Sequence, residues 1–447
     1  MKVTFIQPTI GRIRDSKLER PWALEPLAIG VLAGITPTDV DLEFYDDRIE
    51  SIDYDDSTDL VAISIETLTA LRGYEIAGHY KKRGVPTILG GVHATLLPGE
   101  VAKYADVVVS GPAERLWPLI LSDFRKGKLQ KFYRDDNRAT FPETRVNRSI
   151  FSGKKYFPIH LIEFGRGCPF RCDFCDIPVY FDGQYTTRSL DGLVAEIKAA
   201  EQKLLVVVDD NLGARPQALR DFCRAITPLG VKWVSQTSIT IARNESLLDE
   251  IAESGCLGFL IGFESLNSAN LMLMNKKFNT CISFKEAIHR FHERGMGIYG
   301  SFIVGYDHDT AASVEELVDF AIDQKLLIAN FYPLTPIPGT PLYKRLREEG
   351  RMLNERWWLD YEYRYGDFVF RPARMDPKEM ATVCEAAKAT FYSYGNILRR
   401  AWKSELVDNN LTKMVRHLGI NAMTRKEIRL KGETNLGYDR SLTHLLQ

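Results

Sequence analysis

The chain has 447 residues, and 58 basic against 59 acidic side chains give it a formal net charge of −1. This balance argues against a general nucleic-acid binder, which carries a basic excess. No apolar run reaches the roughly 20 residues of a membrane-spanning helix, and the first residues do not resemble a secretory signal. We therefore expect a cytoplasmic globular protein of two or three domains.

Residues 1–145 alternate between strand-like apolar runs and helical segments. This pattern predicts an open, doubly wound α/β sheet of the Rossmann type with about five parallel strands. Such sheets bind ligands beyond the carboxyl ends of their strands. Polar residues and glycines follow the predicted ends at Thr9, Ser64, Glu66, Gly90, Gly91, His93, Gly111 and Glu114.

Three of the seven cysteines, Cys168, Cys172 and Cys175, have the spacing C-x3-C-x2-C. We call residues 168–175 the cysteine loop. A structural zinc site normally takes four protein ligands, and no second cysteine pair is present. Three thiolates fit an iron–sulfur cluster better, with one iron left open. The remaining cysteines are predicted to be small buried side chains: Cys223, Cys256, Cys281 and Cys384.

The cysteine loop resembles the signature of radical S-adenosylmethionine (SAM) enzymes, including the aromatic Phe174 before the last cysteine. The resemblance implies that the three cysteines hold a [4Fe–4S] cluster whose open iron binds SAM. It also implies an electron donor of the flavodoxin or ferredoxin type, reductive cleavage of SAM, and a position for Phe174 near the adenine.

Residues 146–340 continue the alternation with about six strands. They resemble the partial (β/α)6 barrel of the radical SAM family, a relative of the TIM barrel. Ligands of such barrels lie at the carboxyl ends of the strands. The residues at those ends are expected to bind SAM: Asp209, Asp210, Gln236, Glu264 and Ser265. By resemblance, Asp210 meets the SAM amino group, and Glu264 and Ser265 meet the ribose. Asp209-Asp210-Asn211 departs from the Gly-Gly-Glu type of sequence found in many relatives.

A doubly wound domain before such a barrel resembles the cobalamin-binding domain of B12-binding radical SAM enzymes. The stretch from Gly90 to Glu100, with Gly-Gly-x-His-Ala, is the clearest marker. The resemblance implies that the eight residues at the ends of the amino-terminal strands contact cobalamin. The D-x-H-x-x-G motif is absent, so no axial histidine is assigned, and a domain that no longer binds cobalamin stays an alternative.

Residues 341–447 are predicted to form an α-rich cap. The whole pattern predicts a transferase that methylates a small-molecule substrate with a cluster, SAM and cobalamin. One alternative is radical SAM chemistry without cobalamin. This would be 3-amino-3-carboxypropyl transfer, as in the arsinothricin pathway, or ring formation. The other is a non-catalytic iron–sulfur or cobalamin sensor.

Overall fold

The computed structural model describes residues 1–11, 23–138, 141–402, 404–408 and 410–438. It divides into two compact units. The first comprises residues 1–157, 355–365 and those from 429 onward, and the second comprises residues 158–354 and 366–428. Each unit contains a parallel β-sheet with helices between its strands, which confirms the predicted α/β class.

The first unit is built on a six-stranded sheet in the order β2-β1-β3-β4-β5-β6, with every neighbouring pair parallel. The last strand was not predicted. The strands are β1 (Lys2–Gln7), β2 (Asp41–Asp46), β3 (Leu60–Ser64), β4 (Thr87–Gly90), β5 (Val107–Ser110) and β6 (Phe132–Arg134). The helices are α1 (Leu27–Gly34), α2 (Ala70–Lys82), α3 (Val92–Leu96), α4 (Pro98–Val101) and α5 (Trp117–Arg125).

Continuous apolar runs form the inner strands of this sheet because helices cover both of its faces. All of β5 and the first four residues of β3 are buried. Phe5 packs against Trp117 of α5 with ring centroids 5.3 Å apart. The strand order changes direction between β1 and β3, and ligands of doubly wound sheets bind at such a switch point.

The second unit contains a six-stranded parallel sheet in the order β14-β13-β12-β11-β10-β7. Strands β8 and β9 form a separate two-stranded antiparallel sheet. The strands are β7 (His160–Ile162), β8 (Gly165–Gly167), β9 (Tyr185–Thr187), β10 (Leu204–Val207), β11 (Lys232–Thr237), β12 (Cys256–Glu264), β13 (Gly297–Val304) and β14 (Ile328–Pro333).

Helices alternate with these strands and continue after the last one. They are α6 (Ile177–Tyr180), α7 (Leu190–Ala199), α8 (Pro216–Ile226), α9 (Glu245–Glu253), α10 (Ser268–Leu273), α11 (Phe284–His292), α12 (Ala311–Asp323), α13 (Pro341–Glu348), α14 (Pro377–Phe391), α15 (Tyr394–Ala401) and α16 (Leu411–Gly432). Local sequence explains where some of these helices begin. The Ser189 side chain accepts from Gly192 N at the start of α7, and the Asn244 side chain accepts from Leu247 N at the start of α9. Within the described residues, no helix has the length and apolar character needed to cross a bilayer.

Candidate active site

The cysteine loop follows β8, and distant segments fix its backbone. Asp173 N donates to Met274 O at 3.0 Å, and Asp173 O accepts from Leu342 N at 2.9 Å. The Asn275 side chain donates to Arg171 O at 2.8 Å. These contacts anchor the backbone of the loop to segments near Met274 and Leu342.

The three thiols of the loop are partly exposed, and none is in a disulfide. Each is within electrostatic range of another, and burial raises the pKa of all three, that of Cys172 to about 11. No three His, Cys, Asp or Glu side chains among the described residues converge as ligands of a single metal ion. One zinc would draw its thiolates to about 4 Å from one another, since Zn–S bonds are about 2.3 Å long. A cluster binds each thiolate through a different iron, so the donor set fits a cluster.

The Asp209-Asp210-Asn211 segment follows β10 and contacts the backbone before the cysteine loop. Asp209 is fully buried, and its Oδ1 accepts from Phe164 N at 2.8 Å. Asp210 Oδ2 accepts from Gly167 N at 2.7 Å, and burial raises the pKa of Asp210 to about 6. The structure thus places both carboxyl groups as supports of the loop, and their contact with SAM stays a prediction.

Asn211 is a site residue that the sequence analysis did not select. Its Nδ2 donates to Cys168 Sγ at 3.5 Å, while its Oδ1 accepts from Ser238 N at 3.1 Å. The side chain therefore connects Cys168 to the end of the neighbouring strand β11. Its position directly after two strand-end aspartates was the signal that could have identified it.

Glu264, at the end of β12, forms a buried ion pair with Lys276. The Lys276 Nζ and Glu264 Oε1 atoms are 2.6 Å apart. Burial alone would lower the pKa of Lys276, but Glu264 and the thiols of Cys172 and Cys175 together outweigh burial and raise it. The Nζ atom also lies 5.7 Å from the ring centroid of Phe174, within cation–π range. The pair therefore stands beside the cysteine loop.

The backbone of Glu264 adopts a φ of 64°, which non-glycine residues rarely do. Such strain persists where the surroundings require a particular side chain, and here the ion pair with Lys276 supplies that requirement. Lys276 carried no sequence signal, because it lies outside any strand end or motif. Of the other predicted SAM residues, Gln236 is half-buried in β11, and Ser265 Oγ accepts from Asn267 N at 3.1 Å.

In the first unit, the eight predicted cobalamin residues all follow the carboxyl ends of four adjacent strands. Thr9 follows β1, and Ser64 and Glu66 stand at the end of β3. The others stand at the ends of β4 and β5: Gly90, Gly91, His93, Gly111 and Glu114. The structure therefore brings them to the carboxyl edge of the sheet, which includes the switch point between β1 and β3. Their contact with cobalamin stays a prediction.

Local packing explains why two of these positions, 91 and 111, are glycines. Gly91 has a φ of 100°, and a Cβ there would lie 2.6 Å from Ile65 O. Gly111 has a φ of 84°, and its Cβ would lie 2.2 Å from Asp135 O. The fold itself requires glycine at both positions, independently of any ligand.

His93 is fully buried, and both of its ring nitrogens are engaged. Nδ1 lies 3.2 Å from Thr67 Oγ1, and Nε2 lies 3.3 Å from Glu100 Oε1. Trp358 Nε1 donates to the same Glu100 oxygen at 2.8 Å. Burial alone would raise the pKa of the Glu100 carboxyl. The hydrogen bonds from His93 and Trp358 favour the charged form, and the pKa is lowered. The imidazole is a structural group here and is not positioned as an axial ligand.

The segment 434–438 lies at the same edge of the first sheet. Gly437 pairs with Gly11, and its N–H donates to Ile10 O at 3.1 Å. Tyr438 N donates to both carboxylate oxygens of Glu75 at 2.8 and 2.9 Å. A segment distant in sequence therefore contributes to the loop after β1, and the sequence analysis had no signal for it.

Residues 162–321 match the family model described as the radical SAM superfamily. Two proteins of Chlorobaculum tepidum are similar over most of the chain. The bacteriochlorophyllide d C-12(1)-methyltransferase is 28% identical over 84% of this chain and 84% of its own length. The bacteriochlorophyllide d C-8(2)-methyltransferase is 28% identical over 86% of this chain and 89% of its own length.

The fold is similar to that of the radical SAM methyltransferase TsrM from Kitasatospora setae. Its structure with tryptophan and a SAM analogue has a TM-score of 0.67 and 14% identity, and the match covers 96% of this chain and 99% of TsrM. The structure of TsrM with cobalamin and a [4Fe–4S] cluster has a TM-score of 0.60 and 16% identity, and covers 78% of each chain. The cysteine loop lies inside the matched range, and residues 162–321 are therefore the radical SAM domain of an enzyme that uses a [4Fe–4S] cluster and SAM.

Proposed function

We propose that this chain is a cobalamin-dependent radical SAM methyltransferase that methylates a carbon atom of an organic small molecule. The observation that carries the proposal is similarity to two carbon methyltransferases along most of both chains. The partial barrel and the B12-binding type of amino-terminal domain belong to the same proposal. The amino-terminal domain assignment is supported by the eight predicted residues at the carboxyl edge of the first sheet, which includes its switch point.

Within the site, the chain's own residues hold and orient the cofactors. Cys168, Cys172 and Cys175 would bind the cluster, and Asn211 orients Cys168 through its hydrogen bond. When bound, the cluster, SAM and cobalamin supply the reducing electron, the radical and the transferred methyl group. Phe174 packs against the apolar core of the second unit, which supports the conformation of the loop.

The Glu264–Lys276 pair gives the carboxyl edge of the second sheet a charged and hydrogen-bonding surface. SAM itself presents an ammonium, a carboxylate and ribose hydroxyls. A paired cation and anion can exchange part of their mutual contact for such groups without leaving either charge unpaired. This supports the assignment of Glu264 to the SAM site and adds Lys276 to it.

The test is anaerobic reconstitution of protein produced with B12, followed by incubation with SAM labelled in its methyl group, dithionite and bacteriochlorophyllide d as the trial substrate. We expect a cobalamin visible spectrum, 5′-deoxyadenosine, S-adenosylhomocysteine and a product carrying one labelled methyl group. Methylthioadenosine would instead indicate 3-amino-3-carboxypropyl transfer. Unlabelled product with 5′-deoxyadenosine would indicate ring formation.

The matched control compares Cys172→Ala with Cys281→Ala. Cys281 is exposed and lies outside the cysteine loop, so its loss leaves the cluster intact. A wild-type protein that binds the cluster but neither cleaves SAM nor binds cobalamin would refute the proposal.

A further inference from the structure

The most extensive group of exposed hydrophobic side chains among the described residues lies on α15 and α16 of the second unit. Five of the eleven large hydrophobic side chains that are exposed in the described part of the chain fall between positions 394 and 415. They are Tyr394, Leu398, Trp402, Leu411 and Val415, with 56–78% of each exposed. A single exposed leucine is ordinary, but a contiguous group marks a surface that meets an apolar partner.

Two contacts show that α15 and α16 run antiparallel with their exposed faces side by side. Arg400 Nη2, near the end of α15, donates to Asn421 Oδ1 at 2.9 Å. The guanidinium of Arg425 lies 4.5 Å from the ring centroid of Tyr394, at the start of α15. Later residues of α16 therefore lie beside earlier residues of α15. Because Arg425 and Tyr394 are both exposed, their contact joins the outer faces of the two helices into one surface.

Helical spacing places the five hydrophobic side chains on this surface. Tyr394, Leu398 and Trp402 follow one another at intervals of four residues and share one face of α15. Leu411 and Val415 have the same spacing at the start of α16. In the antiparallel arrangement, the start of α16 lies toward the Trp402 end of α15. The buried residues of α16 lie on its opposite face and are His417, Asn421 and Thr424.

The same surface is basic, although the chain as a whole is nearly neutral. Residues 394–428 contain seven basic and three acidic side chains, a net charge of +4 in a chain whose total is −1. The one acidic residue of α16, Glu427, is half-buried, and α15 has none. The segment between the helices carries Asp408 and Glu405, and Glu405 lies 3.8 Å from His289 of α11. We call the five hydrophobic side chains, together with the exposed basic residues beside them, the α15–α16 patch; the basic residues are Arg399, Arg416, Arg425 and Lys426.

This combination of side chains is complementary to the surface of an anionic bilayer. Tryptophan and tyrosine are stable at the level of the lipid headgroups, and aliphatic side chains gain from contact with the acyl chains below. Lysine and arginine are attracted to anionic headgroups. A second copy of the chain is a less favourable occupant, because a symmetric contact would bring two basic surfaces together.

We propose that the α15–α16 patch docks the enzyme on the surface of a bilayer that contains anionic phospholipid. The aromatic and aliphatic side chains enter the interface, and the basic side chains contact the headgroup phosphates. The inference goes beyond the proposed methyl transfer and does not depend on it, since the patch lies outside the cysteine loop and the strand ends.

The test is flotation of the full chain, after anaerobic reconstitution of its cluster, with vesicles of phosphatidylcholine or of equimolar phosphatidylcholine and phosphatidylglycerol. We expect binding to the anionic vesicles that weakens as salt is added, and much weaker binding to phosphatidylcholine alone. Trp402→Ser should lower the partition coefficient roughly tenfold or more, because the indole no longer leaves water. The double variant Arg416→Gln/Lys426→Gln should lower it roughly twenty-five-fold, since one basic residue near an anionic membrane contributes about fivefold.

Each patch variant has a matched control in the same unit. Met272→Ser removes a hydrophobic side chain that is 61% exposed on α10, outside the patch. Arg224→Gln/Lys344→Gln removes the same net charge from exposed positions of α8 and α13. Both controls should bind nearly as the wild type does, and circular dichroism checks that every variant folds.

Three results with vesicles would overturn the inference: no binding to the anionic vesicles, equal binding to both vesicle types, or equal losses in the patch and control variants. Sedimentation velocity without vesicles tests the alternative occupant. A wild-type dimer that Trp402→Ser converts to a monomer would assign the patch to a second copy of the chain and overturn the inference as well.

Discussion

The Glu264–Lys276 ion pair yields the sharpest prediction about the stability of the second unit. Both side chains are nearly buried, with 7% and 11% exposed, and their charged atoms are 2.6 Å apart. Lys276→Met leaves the Glu264 carboxylate without its countercharge, and Glu264→Gln leaves the ammonium alone. Removing one partner of a buried pair costs about 3–5 kcal/mol. The double variant removes both charges and should recover most of this loss.

The assay is thermal unfolding of cluster-free protein, so that cluster loss does not contribute. For a unit of this size, a loss of 1 kcal/mol in the free energy of unfolding lowers Tm by about 2–4 °C. A loss of about 3 kcal/mol should therefore lower the Tm of each single variant by roughly 6–12 °C. Lys277→Met changes the adjacent, exposed lysine and should leave Tm nearly unchanged. If the two single losses simply add in the double variant, the two charges are not coupled and the reasoning is wrong.

Three further predictions concern the cluster, acid stability and the first unit. Replacing Cys168, Cys172 or Cys175 with alanine should remove the iron and sulfide of the reconstituted protein, whereas Cys281→Ala should keep both. Burial lowers the pKa of His292 to about 4, against about 6.5 in the unfolded chain. The unfolded chain therefore binds the extra proton first, and stability should fall as the pH drops from about 6.5 to about 4. In thermal melts over this pH range, His292→Leu should lose less stability than the wild type. Arg72→Met removes the countercharge of buried Asp47 and Glu75 and should cost about 3–5 kcal/mol in denaturant unfolding. Arg125→Met, in an exposed pair, should have little effect.

Features carried by local sequence were predicted, and features made by distant contacts were not. The cysteine loop followed from spacing alone, and the strand ends followed from the alternation of apolar runs with helices. Lys276 was missed because its role arises from a turn that places it beside Glu264 and Phe174. The segment 434–438 was missed for the same reason, since its partners are the loop after β1 and Glu75.

The structure also changes the meaning of two sequence features without removing them. Gly91 and Gly111 are among the residues predicted to contact cobalamin, but the fold requires glycine at both positions in any case, because a Cβ there would collide with a carbonyl of the chain itself. His93 suggested a ligand-binding loop, but its nitrogens bond to Thr67 and Glu100. A glycine or histidine at a strand end therefore indicates a constrained loop first, and a ligand only with a second observation.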